Sequence, residues 1–216
     1  MSEGPADKRQ LAASTGEFAE LVARGTPTPG GGSVAAYCGL LASALGRMMC
    51  NLTAGKAKFS AVEPRILEIK EQLEALSRKL GDLVDADADS FEGVLSAYKL
   101  PKASDEEKAA RSSKIQEALM QAIIVPSQTV ELSMDALGFL QELAEIGNPN
   151  AQSDVATAAQ VAFAAMKSAY YNVAVNLGSL SEPVEAASLA LAARQRIEQA
   201  EVIAREIEAG FLAGLG

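Results

Sequence analysis

The feature that most constrains the fold is an apolar stripe between about Glu63 and Tyr98, where Ile66, Ile69, Leu73, Leu76, Leu80, Leu83 and Val84 recur at three- and four-residue intervals. That spacing stacks side chains on one face of a helix, whereas a strand needs alternation every second residue. The stretch reads as one long helix. Leu100-Pro101 ends it, because proline disfavours the helical conformation in the residue before it. The remaining segments follow the same pattern. Ser14 to Arg24 reads as a short amphipathic helix with Phe18, Leu21 and Val22 on one side. A run from Ser33 to about Thr53 carries Gly39, Ala42, Ser43 and Gly46 as a narrow seam for a closely packed neighbour. Ser104 and Glu107 form a capping box for a helix reaching toward Ile146, with Pro126 expected to kink it. Gly147-Asn148-Pro149-Asn150 reads as a turn, Ser153 as the cap of a helix ending near Leu177, and Val184 to about Phe211 as the last helix. No glycine-bounded β-branched segment reads as a strand. The expectation is an all-α, single-domain antiparallel helix bundle over residues 14–216, preceded by a flexible segment, residues 1–13.

Charge and residue usage remove whole classes of function. With 28 acidic against 19 basic residues, a net charge of −9 opposes a general nucleic-acid surface. The chain has no histidine, which excludes Ser-His and Cys-His nucleophiles, histidine bases and the usual zinc sites. No metal site is expected. Cys38 and Cys50 fall within one helical run, where a mutual disulfide does not fit, so both read as reduced thiols. Residues 1–10 are polar and resemble no secretory leader, and the apolar run Val34 to Ala54 is interrupted by Arg47 and Asn51. A cytoplasmic protein without membrane partners is the expectation.

Two constellations can carry chemistry. Pro29-Gly30-Gly31-Gly32-Ser33 joins a stiff proline, three permissive glycines and a helix-capping serine, so bare amides at a helix N-terminus could receive a carboxylate, phosphate or oxyanion. The same residues could equally serve only a sharp helix entry. No Walker-type Lys-Ser/Thr ending follows, which argues against a nucleoside triphosphate. The second constellation is the acidic run Asp82, Asp85, Asp87 and Asp89. Asp82, Asp85 and Asp89 share one helical side and fit a solvated face, whereas Asp87 continues the apolar stripe. A partly desolvated carboxylate there suits a general base or acid. Lys56 and Lys58 could clamp an acidic ligand or lie free at the surface. Asn172 and Asn176 share a helix face and, if buried, need either a ligand's amide edge or a neighbouring backbone as partner.

In this order, several motifs together resemble the cyclodeaminase and methenyltetrahydrofolate cyclohydrolase family, which includes the cyclodeaminase half of formiminotransferase-cyclodeaminase. They are residues 27–36 (PTPGGGSVAA), 51–56 (NLTAGK) and 85–91 (DADADSF), with Leu100-Pro101-Lys102, Glu106-Glu107-Lys108, Gly147-Asn148, Ser153-Asp154, Asn172 and Asn176. The resemblance spans nearly the whole chain from Phe18. It implies a homodimer with a folate groove near the subunit interface, and places the proton-accepting aspartate on Asp87, with Asp85 as the neighbouring candidate. Pro29, Gly30, Gly31, Gly32, Ser33 and Lys56 would then position a tetrahydrofolate derivative, and Asn148, Asn172 and Asn176 would be pterin partners. The implied activity is formiminotetrahydrofolate cyclodeaminase or methenyltetrahydrofolate cyclohydrolase, with no cofactor beyond the tetrahydrofolate substrate. The alternative is a non-catalytic helical folate-binding or assembly protein of the same fold.

Overall fold

The computed structural model describes residues 13–181 and 184–215, apart from the side chain of Glu185. The expected N-terminal segment, Ala13 aside, lies outside the described residues. Six α-helices account for the fold, and no strand occurs among the described residues. They are α1 (Thr15–Ala23), α2 (Gly31–Thr53), α3 (Glu63–Tyr98), α4 (Asp105–Ile146), α5 (Gln152–Leu177) and α6 (Val184–Ala213). Short 3₁₀ turns, Ala57–Phe59 and Pro149–Ala151, sit in the α2–α3 and α4–α5 connections.

The capping chemistry explains where α1 and α4 begin. Ser14 with Glu17 and Ser104 with Glu107 each form a reciprocal capping box, satisfying two amide groups that a helix start leaves unpaired. Two other serines do not cap as expected. Gly30 is the N-cap of α2, and Ser33 lies inside the first turn with its hydroxyl turned elsewhere. Ser153 lies inside α5, because Asn148 already turns the chain: its Oδ1 accepts from the Asn150 amide, and the resulting 3₁₀ turn runs straight into α5.

Pro126 stands inside α4, which continues through it to Ile146. A proline has no N–H, so it leaves the carbonyl four residues earlier, that of Ala122, without its helical donor. Asn176 on α5 supplies one, donating through Nδ2 to Ala122 O at 3.0 Å.

The core forms where α2, α3, α4 and α5 meet, around Met49, Ile69, Leu73, Leu137, Leu140 and Met166. The small-residue seam of α2 works as the sequence indicates. A methyl group built on Gly39 would fall 2.6 Å from Ser133 Oγ, and one on Gly46 would fall 2.8 Å from Leu73 Cδ1. Only hydrogen fits between these helices. By length and composition α2 could cross a membrane, but half of its most apolar window is buried within the fold. Cys38 and Cys50, both on α2, are free thiols. Burial pushes the Cys50 thiol up to about 11 and raises that of Cys38, so neither is an activated nucleophile.

Candidate functional site

The loop before α2 brings the chain into the helix through a buried Pro29, which follows a cis peptide bond from Thr28, and an extended Gly30. Gly31, Gly32 and Ser33 form the first turn. Asp87, from the middle of α3, lies directly against that turn. Ser33 Oγ donates to Asp87 Oδ2 at 3.0 Å, and a methyl group built on Gly32 would sit 2.0 Å from Asp87 Oδ1 and 2.5 Å from its Cγ. The reason for a glycine at position 32 is therefore close approach rather than a special backbone angle. The anion received by the glycine-rich turn within the protomer is the protein's own carboxylate.

The surroundings set the proton affinity of that carboxylate. Burial pushes Asp87 above the usual carboxylate range, while hydrogen bonds from the side chain and backbone of Ser33 pull it back down. The helix N-terminus favours the ionised form in the same direction as Ser33. Asp87 is nevertheless only half-buried, so a reacting molecule can reach it. Val84 and Ala88 on either side are buried, and the Ser90 hydroxyl donates to the Asp87 carbonyl at 2.8 Å, fixing this part of α3. Asp82 and Asp89 are exposed, whereas Asp85 is half-buried. Phe18 of α1 packs with Ala36, Leu83 and Val84 just beneath the site, its ring 5.1 Å from that of Tyr37.

Asn172 also belongs to this end of the molecule. Its Nδ2 would lie 3.7 Å from a methyl group on Gly31, and it donates to Ser168 O at 2.9 Å. Asn176 is spoken for: besides Ala122 O it donates to Asn172 O at 3.0 Å. These are partners of the kind the sequence left open for Asn176, a neighbouring backbone.

Lys56 and Asn148 are not brought to Asp87 within the protomer. They sit beyond the other end of α2, a 23-residue helix about 34 Å long at 1.5 Å per residue. There Asn148 is buried, donating through Nδ2 to Leu52 O at 2.9 Å while its amide donates to Thr53 Oγ1 at 3.0 Å. Asn148 thus ties the end of α2 to the α4–α5 turn. Lys56 is exposed and its Nζ donates to Leu52 O. Lys58 lies over the Phe59 ring, 4.6 Å from its centroid.

Comparison with known proteins decides the family. The formiminotransferase-cyclodeaminase family model matches residues 14–195. The chain belongs to that family. The chain is 42% identical over 165 residues to a methenyltetrahydrofolate cyclohydrolase of Methylorubrum extorquens, covering 76% of this chain and 79% of that one. It is 37% identical over 181 residues to the formimidoyltransferase-cyclodeaminase of Rattus norvegicus, covering 84% of this chain but only 33% of the rat protein. The crystal structure of formiminotetrahydrofolate cyclodeaminase from Thermotoga maritima superposes with a TM-score of 0.82 at 32% identity, covering 93% of this chain and 98% of that one.

For this member of the formiminotransferase-cyclodeaminase family, sequence reasoning found Asp87 and the glycine turn but not their direct contact. It assigned Ser33 to capping because serine near a helix start usually caps. No local signal reveals a hydroxyl partner 54 residues away. Thr53 was also missed as the acceptor that anchors Asn148.

Proposed function

We propose that this chain is a folate one-carbon enzyme acting at the 5,10-methenyl bridge of tetrahydrofolate, as a formiminotetrahydrofolate cyclodeaminase or a methenyltetrahydrofolate cyclohydrolase. The observation that carries the reading is the half-buried Asp87, held between Gly32 and the Ser33 hydroxyl with its proton affinity raised by burial. A carboxylate so placed accepts and returns protons near neutral pH better than an exposed one. In cyclodeamination N10 attacks the carbon of the protonated formimino group on N5, Asp87 takes the N10 proton and delivers it to the exocyclic nitrogen, and ammonia leaves as the methenyl cation forms. In hydrolysis the Asp87 carboxylate steadies the methenyl cation, takes a proton from the water that adds to the methenyl carbon, and returns it to N5 as that bond opens, the hydroxyl proton going to solvent and the formyl group remaining on N10. Both reactions use one carbon and one base, and neither needs a metal or redox cofactor.

The same reading takes the six helices as an antiparallel bundle that forms a homodimer in the cytoplasm, with the substrate near the interface. Gly30 and Gly31, in the same turn as Gly32 and Ser33, and Asn172, whose Nδ2 lies against Gly31, are the groups at this end of α2 that could position it.

The test follows the methenyl chromophore with each substrate for wild type and Asp87→Asn. Turnover of either substrate by wild type, lost by at least about 100-fold in the variant, is the expected result for removal of a general base. Full activity in Asp87→Asn removes the site. If wild type turns over neither substrate while retaining folate affinity, the non-catalytic binding protein replaces the enzyme.

A further inference from the structure

The helix that carries Asp87 outruns the helix packed on it. The stripe of α3 turned toward α2 meets a bare glycine at every seventh residue. A methyl group built on Gly46 would stand 2.8 Å from Leu73 Cδ1, one on Gly39 3.0 Å from Leu80 Cδ2, and one on Gly32 2.0 Å from Asp87 Oδ1. The two helices therefore run antiparallel, and α2 reaches its first residue, Gly31, beside Asp87. From there α3 continues alone to Tyr98, about 16 Å further on at about 1.5 Å per residue.

Where α2 packs, this stripe is closed: Leu73, Leu80 and Val84 are fully buried. Past the start of α2 the same face opens, and it is aromatic, with Phe91 36% and Tyr98 49% exposed. Phe91 follows Asp87 by four residues and Tyr98 follows Phe91 by seven, so the three stand in line. Helical side chains lean toward the N-terminus, so the Phe91 ring lies over the turn that carries Asp87. An uncovered phenylalanine one turn from a reachable carboxylate offers a surface to a flat apolar group.

The chemistry at Asp87 names that group. Both proposed reactions turn on the carbon between N5 and N10, and N10 is bonded directly to the aminobenzoyl ring of tetrahydrofolate. With N10 hydrogen-bonded to Asp87, at about 3 Å, that ring begins one bond further on. Side chains four residues apart on a helix are about 5–6 Å from each other, so the ring falls within contact of Phe91. The pterin fits this surface less well. A methylene separates it from N10, its reduced half is puckered, and its amide edge needs hydrogen-bonding partners that a phenylalanine lacks. Asn172, across Gly31, offers them.

We infer that Phe91 is the platform on which the aminobenzoyl ring of the substrate stacks, and that the plane of the stacked ring aims N10 at Asp87. The inference rests on the proposed function for its substrate. Phe91 acts on binding and orientation rather than on the proton transfers.

Kinetics with the methenyl chromophore test it first. Phe91→Leu keeps apolar bulk without a flat face, and Phe91→Ala loses both. In the leucine variant kcat/KM should fall about 3-fold and in the alanine variant about 10-fold, most of the loss lying in KM, whereas Phe91→Tyr should stay within about 2-fold of wild type. Unchanged kcat/KM in Phe91→Ala overturns the inference, as does a loss just as large in Phe91→Tyr, or one seen only where light scattering shows an oligomer coming apart. The second measurement needs no turnover and so separates the inference from the assigned reaction. Its probe is 5-formyltetrahydrofolate, which keeps both rings and a carbon on N5 but lacks the formimino nitrogen. In protein deuterated everywhere except its phenylalanine rings, NOEs from those rings to the bound probe should fall on the aminobenzoyl protons and vanish in Phe91→Leu. Bound probe without such NOEs, NOEs confined to the pterin side, or NOEs that persist in Phe91→Leu overturn the platform even if the enzyme is active. A wild type that neither binds the probe nor turns over either substrate removes the proposed function, and the inference with it.

Discussion

Replacing Gly32 by alanine sets two effects against each other, and the structure says which wins for activity. In a helix, alanine is favoured over glycine by about 1 kcal/mol. Against this, the new methyl group would stand 2.0 Å from Asp87 Oδ1, where ordinary contact begins at 3.4 Å, so the carboxylate must retreat by about 1.4 Å. Asp87 is fixed to α3 between buried Val84 and Ala88, so the retreat falls on its side chain and breaks the 3.0 Å bond from Ser33. Crowding of this kind costs about 1–3 kcal/mol, which leaves a net destabilisation of roughly 0–2 kcal/mol after the helix gain. Activity is far more sensitive, since a misplacement of about 1 Å costs on the order of 100-fold. Gly32→Ala should therefore remain folded by thermal melting while kcat/KM, followed by the methenyl chromophore, falls by about 100-fold. Gly138→Ala is the control: its methyl group meets nothing within 4 Å, and it should gain up to about 1 kcal/mol of stability with activity unchanged. A Gly32→Ala enzyme with wild-type kcat/KM would refute the claim that the bare turn exists to seat Asp87.

Other expectations follow from single contacts. Ser33→Ala removes a bond that favours the ionised carboxylate, so the acidic limb of the pH–rate profile should move to higher pH; an unmoved limb would mean that Asp87 is not the titrating base. Asp87→Asn should raise the melting temperature at neutral pH, because the folded state holds this carboxyl above its unfolded proton affinity and loses stability as pH rises through that range. The gain should vanish below the ordinary carboxylate pKa, which differential scanning calorimetry at several pH values would show. Asn176→Ala should cost about 1–3 kcal/mol in denaturant unfolding by orphaning the Ala122 carbonyl, and much less in a Pro126→Ala background that restores the helical donor. Thr53→Val should cost about 1–3 kcal/mol by leaving the buried Asn148 amide without its acceptor.

The sequence by itself determined the elements. Periodicity located α3 to the residue at which it ends, and the Ser104–Glu107 pair fixed the start of α4, because these are interactions within a few residues of one chain. It also singled out Asp87, since an acid continuing an apolar stripe is anomalous wherever the helix packs. What only the tertiary structure decided is which separated groups meet. Ser33 leaves its capping role for a carboxylate on α3, Asn176 is drawn to a carbonyl freed by Pro126, and Lys56 is carried to the far end of α2 from the aspartate. Helix packing sets each of these outcomes through the register between helices. A repeat of 3.6 residues tells which face of a helix turns inward, but not which residue of the next helix stands opposite it.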